Sequence, residues 1–554
     1  MDKIKIELPT GEIAEYQAGI SIRTVINEHI KPDTSKPLMA VRINNKITSI
    51  ASNIYLNCKI EPIELESQSG LRIYRRSLAF LLEMASKEVF PDLRLKISHS
   101  IGSSYYYYFE NKRNIEADEL EKLNSKMKEY VEKKCPIDIK KVGYEEAIEL
   151  FKGFDQPETL LLLEGMNPSS ITFNKCSGFM ALFYFPLVEN TSALPYFDIL
   201  KYQNGFLLRY PGSKDPRKVA EFQDRPLLYS IYEEYSGWGK ILNVNCVGQM
   251  NKLTTRKKEM QHFIRVSESL HNKKIAKIAD DILTKKGDVK MVLIAGPSSS
   301  GKTTFTKKLA IQLQVVGFNP VIVSLDDYYL THDKVPVDEY GKLDLEALEA
   351  LDVPLLNQNL IQLFNEGEAE FPVYDFKIGG RRETGKKLTM EDRTILLMEG
   401  IHGLNEKLTP DIPANRKYKI YLSALTQLNL DDHNRIATTD NRIIRRMVRD
   451  HHFRNYDALN TFKIWPSVRR GEEKNIFPYQ ESADSAFNSA LDYEISVLKV
   501  FVEPLLRSVK PNNQEYGEAA RLLDFLANFA PLPSYMVPED SILREFIGNS
   551  SFKY

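Results

Sequence analysis

Cysteine is scarce and scattered. The four residues, Cys58, Cys135, Cys176 and Cys246, stand far apart with no paired spacing, which disfavours a zinc cage or a disulfide framework and fits a reducing cytoplasm. Long apolar runs are missing too, so no segment is expected to span a bilayer. The first residues, MDKIKIELPTGE, alternate polar and apolar side chains and lack the apolar core and small-residue cleavage site of a signal peptide. A cytoplasmic location is the expectation. An excess of charge of one sign is also absent: 74 basic residues face 75 acidic ones, a net charge of −1. No global field therefore draws the chain to nucleic acid or to a membrane. Repeats and low-complexity tracts are not found.

What is present is an ordinary soluble composition, 43% hydrophobic and 27% charged, over 554 residues. That length exceeds one compact core and suggests three or four units. Residues 1–66 alternate in short runs broken by Gly, Pro and Asn, which predicts a small β-rich module with a helix near Ile22 to His29. Residues 67–256 mix a helical pattern, YRRSLAFLLEMASKEVF, with strand-like SYYYYFE, a charged helix near 116–134, and later GFMALFYFPLV and GFLLRYPG, an α+β domain. Residues 257–286 have helical spacing and high charge and predict a connecting helix. Over 287–500, short β-branched runs (VKMVLIAG, NPVIVSLDD, TILLMEG, KYKIYLSA and finally LDYEISVLKV) alternate with helical segments. This predicts a parallel sheet covered by helices on both faces. Residues 501–554 carry a helical stretch, EYGEAARLLDFLANF, and a Pro-containing segment with no evident task.

One motif has a definite chemistry. Gly296, four residues, Gly301, Lys302 and Thr303 satisfy the G-x-x-x-x-G-K-[ST] pattern of a phosphate-binding loop. An apolar strand, Met291 to Ala295, runs into it, and Phe305, Leu309, Leu313 and Val316 follow at helical spacing until Gly317 offers a stop. Such a loop turns backbone N–H groups toward polyphosphate at the positive end of a helix. The expected ATP site is Gly296, Ser298, Ser299, Ser300, Gly301, Lys302, Thr303 and Thr304, with Lys302 on the β- and γ-phosphates and Thr303 on Mg²⁺.

The acids and arginines downstream indicate what the nucleotide serves. In VSLDDYYL, Asp326 and Asp327 fall at the carboxyl edge of the sheet, where doubly wound folds bind ligands; a carboxylate there can accept a hydroxyl proton, or cap a turn. LLMEG puts Glu399 at a strand end, within reach of Mg²⁺, though an acid so placed is more often structural. NRIIRRMVRD puts Arg442, Arg445, Arg446 and Arg449 on one helix face, which suits a lid over a transferring phosphoryl group. The alternative is a solvated face in which Asp440 and Asp450 pair with some of these charges.

Taken together and in order, GPSSSGKTT, SLDDYY, GKLDLEALEALD, YDF, LLMEGIHGL and RIIRRMVRD resemble the uridine/cytidine kinase and phosphoribulokinase group of phosphate-loop kinases over about 200 residues. The resemblance implies that Asp326 is the base for a ribose 5′-hydroxyl, that Asp344 holds the ribose hydroxyls and that Tyr374 lines the base pocket. It also implies that Arg442 lies near the sugar and that Arg445, Arg446 and Arg449 form the lid. Two departures bear on the acceptor. KIGGRR stands where the family has a histidine near the base, and the glutamine that contacts the nucleoside is missing from its usual place. The expected acceptor is the 5′-hydroxyl of uridine or cytidine, with phosphoribulokinase-like or pantothenate-kinase-like acceptors as the alternatives.

Residues 1–66 look like the small ubiquitin-like module, called TGS, that begins threonyl-tRNA synthetases, and YRRSLAFLLEMASKEVFPDLRLKISHSIGSSYYYYFE is similar to their second, editing-type domain. Where that family has two ligand-capable histidines four apart, this chain has Arg76 and Phe80, and Cys176 is followed by SGFM with no Cys-x-x-x-His. Editing chemistry is not expected. The implied whole is multidomain: a β-grasp-like TGS module, an α+β editing-like domain, and an α/β phosphate-loop kinase using ATP and Mg²⁺ on a small-molecule acceptor. For the head, RNA, a nucleotide effector, its own kinase domain, or a purely stabilising or oligomerising role all stay open. An RNA-binding regulator with an ATP switch is the reading furthest from a kinase.

Overall fold

Strict alternation builds the first sheet. In Lys3–Glu7 the isoleucines Ile4 and Ile6 are buried while Lys3, Lys5 and Glu7 are exposed, as a pleat with one wet face requires. The computed structural model describes residues 3–30, 37–112, 114–285, 288–375 and 380–553. In it the strand lies antiparallel to Ile13–Gln17 and parallel to Cys58–Glu64, and the sheet continues through Leu38–Ile43 to Lys46–Thr48. The helix Ile22–His29, capped by Ser21, packs Ile22, Val25 and Ile26 against Ile4, Ile6, Val41 and Ile60. This is a β-grasp arrangement.

The next unit centres on the 22-residue helix Gln68–Val89, capped by Ser67. Tyr74, Leu78, Phe80, Leu81 and Leu82 make it a core helix rather than a surface one. Against it lies a four-stranded antiparallel sheet in the order Asp198–Tyr202, Gly205–Arg209, Ser104–Phe109, Leu95–Ser100. The charged helix, Ala117–Lys133, starts at a capping box formed by Glu116 and Glu119.

A long helix, Lys257–Thr284, joins this head to the last unit and belongs to its core: Ile275, Ile278, Ala279 and Ile282 pack on Phe305, Leu309 and Leu313. The sheet there has five parallel strands, in the order Asn319–Ser324, Thr394–Glu399, Met291–Ala295, Lys417–Ser423, Ser485–Asn488. Both faces are covered. Val292, Ile294, Leu397, Ile420 and Leu422 face the Lys257–Thr284 and Lys302–Val315 helices, and Leu293, Leu396 and Met398 face Leu356, Leu360 and Leu363 of the helix Val353–Glu366. Each such side chain contributes about 1.5–3 kcal/mol by leaving water. Met291–Ala295 is central, between strands reached by connections on opposite sides, and the crevice at its carboxyl end is the switch point where such folds bind ligands.

The last strand differs from expectation. LDYEISVLKV forms no strand: the helix Glu494–Arg507 begins within it, and the fifth strand is the short Ser485–Asn488. The β-branched run mimicked a strand, but Ile495, Leu498, Val502 and Leu506 recur at helical spacing and all are buried.

Among the ties between the head and this last unit are two sets of buried or part-buried charges. Arg72 of the first core helix binds Glu518, which binds Arg521, which in turn makes a bidentate pair with Asp440. Elsewhere the Asp432 carboxylate accepts from Arg94, from Lys96 and from the main-chain N–H groups of Glu158 and Thr159. Those amides open the helix Pro157–Met166, where a negative charge is favoured.

Candidate active site

The phosphate loop is shaped by close backbone approaches. A Cβ on Gly296 would stand 2.3 Å from the carbonyl oxygen of Leu422 in the neighbouring strand. Gly301 has φ 81°, and a Cβ there would stand 2.5 Å from the Ile542 side chain. Ser299 adopts φ 60°, an uncommon conformation for a non-glycine residue and one often found at functional loops. The helix Lys302–Val315 follows, with Phe305, Leu309 and Leu313 fully buried and Gly317 at φ 89° ending it.

Polar groups point into and around the loop. The Lys302 ammonium donates to the carbonyls of Gly296 (3.0 Å) and Pro297 (3.3 Å). Thr303 Oγ1 donates to Glu399 Oε1 at 2.8 Å, so the hydroxyl and the carboxylate expected at Mg²⁺ are side by side. Ser299 Oγ and Ser300 Oγ are buried without a hydrogen-bond partner. Buried hydroxyls left unpaired, a cationic Lys and an adjoining hydroxyl and carboxylate form a donor set that fits a polyphosphate with its divalent cation.

Asp326 lies in the turn Leu325–Tyr328, which Ser324 caps by accepting from the Asp326 N–H (3.2 Å). Asp326 is exposed to solvent, while protein crowds around its carboxylate. That crowding pushes its pKa up, and Lys302 pulls it back. Glu399 is pushed up to about 7 by burial, again against Lys302. Asp327 plays another part: its Oδ1 accepts from the Tyr374 N–H at 3.0 Å, and the Tyr374 ring meets Tyr329 edge-on at 6.1 Å.

Asp344 is a turn residue, its Oδ1 accepting from the Glu346 N–H. The acid that turns toward the cleft from this segment is Glu346, raised to about 7 by burial in surroundings that include Arg446, Glu472, Lys302 and Asp326. Phe376 and residues 377–379 of KIGGRR lie outside the described residues.

The arginine helix, Thr438–Arg454, is neither a solvated face nor a surface flap. Residues 440–448 and Asp450 are buried, the last turn from His451 to Arg454 is exposed, and Arg442, Arg445 and Arg446 grip the outside of the phosphate loop. Arg442 pairs with Glu472 and donates Nε–H to the Ser298 carbonyl (3.0 Å). Arg445 pairs with Glu494 and donates to the Ser299 carbonyl (3.3 Å). Arg446 bonds Ser298 Oγ (2.7 Å) and Asp450. Glu472 also accepts from the Ser298 N–H (3.2 Å). Arg449 is different: its Nε is buried without a hydrogen-bond partner, its nearest acid oxygen is 3.9 Å away, and it contributes to the field at both Lys302 and Asp326. The fold thus gathers Lys302, Thr303, Asp326, Glu399 and Arg449 at one cleft. Arg442 and Arg445 stand behind the loop, where their charge is spent on buried acids.

Sequence reasoning missed those acids. Glu472, Glu494 and Glu346 carry no local motif. Glu545, whose carboxylate accepts from Thr304 N–H (3.1 Å) and Oγ1 (2.9 Å), lies 241 residues along the chain. In the head, Phe80 is fully buried and meets Phe179 and Phe183 edge-on at 5.3 and 5.6 Å, and the Arg76 guanidinium lies over the Phe185 ring at 5.4 Å. Those two positions are packing positions.

Comparison with known proteins finds separate likenesses for two parts of the chain. Residues 291–496 match the model of the Phosphoribulokinase / Uridine kinase family. The N-terminal region is similar to threonine–tRNA ligases. That of Francisella tularensis subsp. tularensis strain SCHU S4 is 31% identical over 198 residues, 36% of this chain, and that of subsp. novicida strain U112 is 30% identical over the same length. The match spans 31% of those ligases' own length. Among solved structures, a possible uridine kinase from Bacillus stearothermophilus aligns with 39% of this chain and 97% of its own at 18% identity and a TM-score of 0.27. D-glycerate 3-kinase from Cryptococcus neoformans var. grubii aligns with 46% and 87% at 15% identity and 0.23.

Proposed function

We propose that the chain is an ATP-dependent kinase that transfers the γ-phosphate to a hydroxyl of a small molecule, the 5′-hydroxyl of uridine or cytidine being the favoured acceptor. The observation that carries this reading is the convergence of the Lys302 loop with two carboxylates, Asp326 and Glu399, each at the carboxyl end of a different parallel strand. A phosphate loop alone serves many chemistries. An exposed acid beside the loop is placed to accept the proton of an acceptor hydroxyl as the phosphoryl group moves, which supports transfer to an alcohol.

In this reading Gly296 to Thr304 hold the triphosphate through main-chain N–H groups and Lys302. Thr303 and Glu399, adjoining at 2.8 Å, would hold Mg²⁺, which would neutralise phosphate charge. Asp326, open to solvent on one side and crowded by protein on the others, accepts the proton of the acceptor hydroxyl. Arg449 faces the same cleft and stabilises charge on the transferring group. Arg442 and Arg445 act through the loop's outer carbonyls and Arg446 through the Ser298 hydroxyl, so that the inner N–H groups stay aimed. Asp327 and Tyr329 steady Tyr374 at the acceptor side. The synthetase-like head, whose histidine-equivalent positions are filled by Phe80 and Arg76, is a binding or stabilising element rather than an editing enzyme.

The test is a coupled ADP-release assay of the purified chain with Mg²⁺-ATP against uridine, cytidine, other nucleosides and a panel of sugar phosphates and small alcohols, with products identified by mass. A nucleoside 5′-monophosphate is expected. A phosphorylated alcohol of another class would retain the kinase and replace the acceptor. Silence across the panel by a chain that binds ATP would overturn both.

A further inference from the structure

The segment after the helix Tyr516–Leu526 reaches back to the phosphate loop, where Glu545 meets Thr304. The Lys302–Val315 helix begins with N–H groups that have no partner within the helix, the first intrahelical bond being Phe305 N–H to the Gly301 carbonyl. Thr304 holds one of the orphan groups. Both its N–H and its hydroxyl donate to a single oxygen, Glu545 Oε2. That carboxylate is almost wholly buried, and its charge reaches Lys302, Lys307 and Arg449. A phosphate oxygen bound at a loop of this type claims the same kind of donor at the same helix end. One N–H cannot serve two anions, and two anions cannot share that space without repelling.

The segment is built to hold this acid in place. Asp540 binds Lys308 through its carboxylate (2.8 Å) and its carbonyl (2.9 Å). Ile542 is fully buried against the helix and abuts Gly301. Phe546 lies under the Arg445 guanidinium at 4.9 Å. Arg544 donates to the carbonyls of Ser534, Val537, Pro538 and Gly548, closing the segment on itself. Resting on the nucleotide reading above, we infer that residues 538–548 are a built-in competitor of the nucleotide, with Glu545 occupying a phosphate position of the loop, and that productive binding requires this acid to withdraw. The kinase would then be restrained by its own chain, and whatever draws 538–548 away would act as its activator.

The experiment uses the full chain and MgADP, so the acceptor plays no part. Equilibrium titration of wild type, Glu545→Gln and Glu545→Ala should show the alanine variant binding MgADP about tenfold more tightly, the worth of one charge-assisted hydrogen bond, with the glutamine variant between. Hydrogen exchange on the wild type should show 538–548 losing protection as MgADP saturates. If wild type binds MgADP, equal or weaker binding by Glu545→Ala, or protection of 538–548 that MgADP leaves unchanged, overturns the inference and leaves the nucleotide reading standing. Failure of all three proteins to bind MgADP removes both.

Discussion

Glu472 is the acid on which the phosphate loop leans most heavily, and changing it to glutamine tests the bracing role of the arginine helix. The side chain is fully buried. It pairs with both terminal nitrogens of Arg442, accepts from Arg469 at 2.8 Å and from the Ser298 N–H at 3.2 Å. Glutamine keeps the size and an acceptor for Ser298 but removes the charge that neutralises a guanidinium only 1% exposed. Breaking a buried pair in this way costs about 3–5 kcal/mol; the part-exposed Arg469 adds little. For a domain of about 200 residues this lowers the melting temperature by about 6 to 20 °C. Replacing both partners with apolar residues, Arg442→Met with Glu472→Leu, should restore most of that stability, because no unpaired charge remains. The double variant should nevertheless bind MgADP poorly, since the Ser298 carbonyl has lost its donor and the Ser298 N–H its acceptor. Differential scanning fluorimetry and a nucleotide titration on the three proteins suffice. A shift below about 3 °C in Glu472→Gln, or a double variant with wild-type nucleotide affinity, would refute the reasoning.

Other outcomes are equally definite. Asp326→Asn should retain ATP binding and lose phosphoryl transfer by about 10²–10⁴-fold, whereas Lys302→Ala should damage both; transfer at the normal rate by the Asp326 variant, measured by ADP release, rejects that residue as the base. For Glu518, burial alone would raise the carboxyl, but Arg521 and Arg72 overrule it and hold it well below the usual carboxylate range. Its contribution is therefore complete above about pH 4.3 and is lost as the solution becomes more acidic, at up to about 1.4 kcal/mol per pH unit. Chemical denaturation at pH 5 and pH 3.5 should show this loss in wild type and a shallower one in Glu518→Gln. Asp432→Asn should weaken the docking of the head, with earlier proteolytic cleavage between head and phosphate-loop unit while nucleotide affinity is unchanged; unaltered cleavage kinetics would show that the carboxylate is not a principal tie.

The phosphate loop and its helix were legible because everything that defines them is local. Gly296, Gly301, Lys302 and Thr303 lie within eight residues, and Phe305, Leu309 and Leu313 announce the helix by their period. The parallel sheet was legible for the same reason, strand by strand, except where the run after Leu491 combined β-branched residues with helical spacing. The arginine face of 442–449 was visible, but its orientation was not. Whether such a face meets phosphate, water or buried acid depends on Glu472 and Glu494, which reach it through tertiary folding and leave no mark at the arginines themselves. Glu346 was hidden by a neighbour: Asp344 matched a family pattern and drew attention, yet it serves its own turn.

The tie at Asp432 bears on how freely the two halves can be exchanged. Sequences akin to a tRNA ligase and to a small-molecule kinase invite the picture of beads on a string, each bead replaceable. A single carboxylate from the loop before the arginine helix instead collects donors from the Leu95–Ser100 strand, from Arg94 just before it and from the first turn of the Pro157–Met166 helix. A transplanted head would have to bring a lysine, an arginine and an open helix end to one point in space, or leave a buried acid unanswered. The junction is thus a lock with several tumblers, and head and phosphate-loop unit are expected to have diverged in step rather than by shuffling.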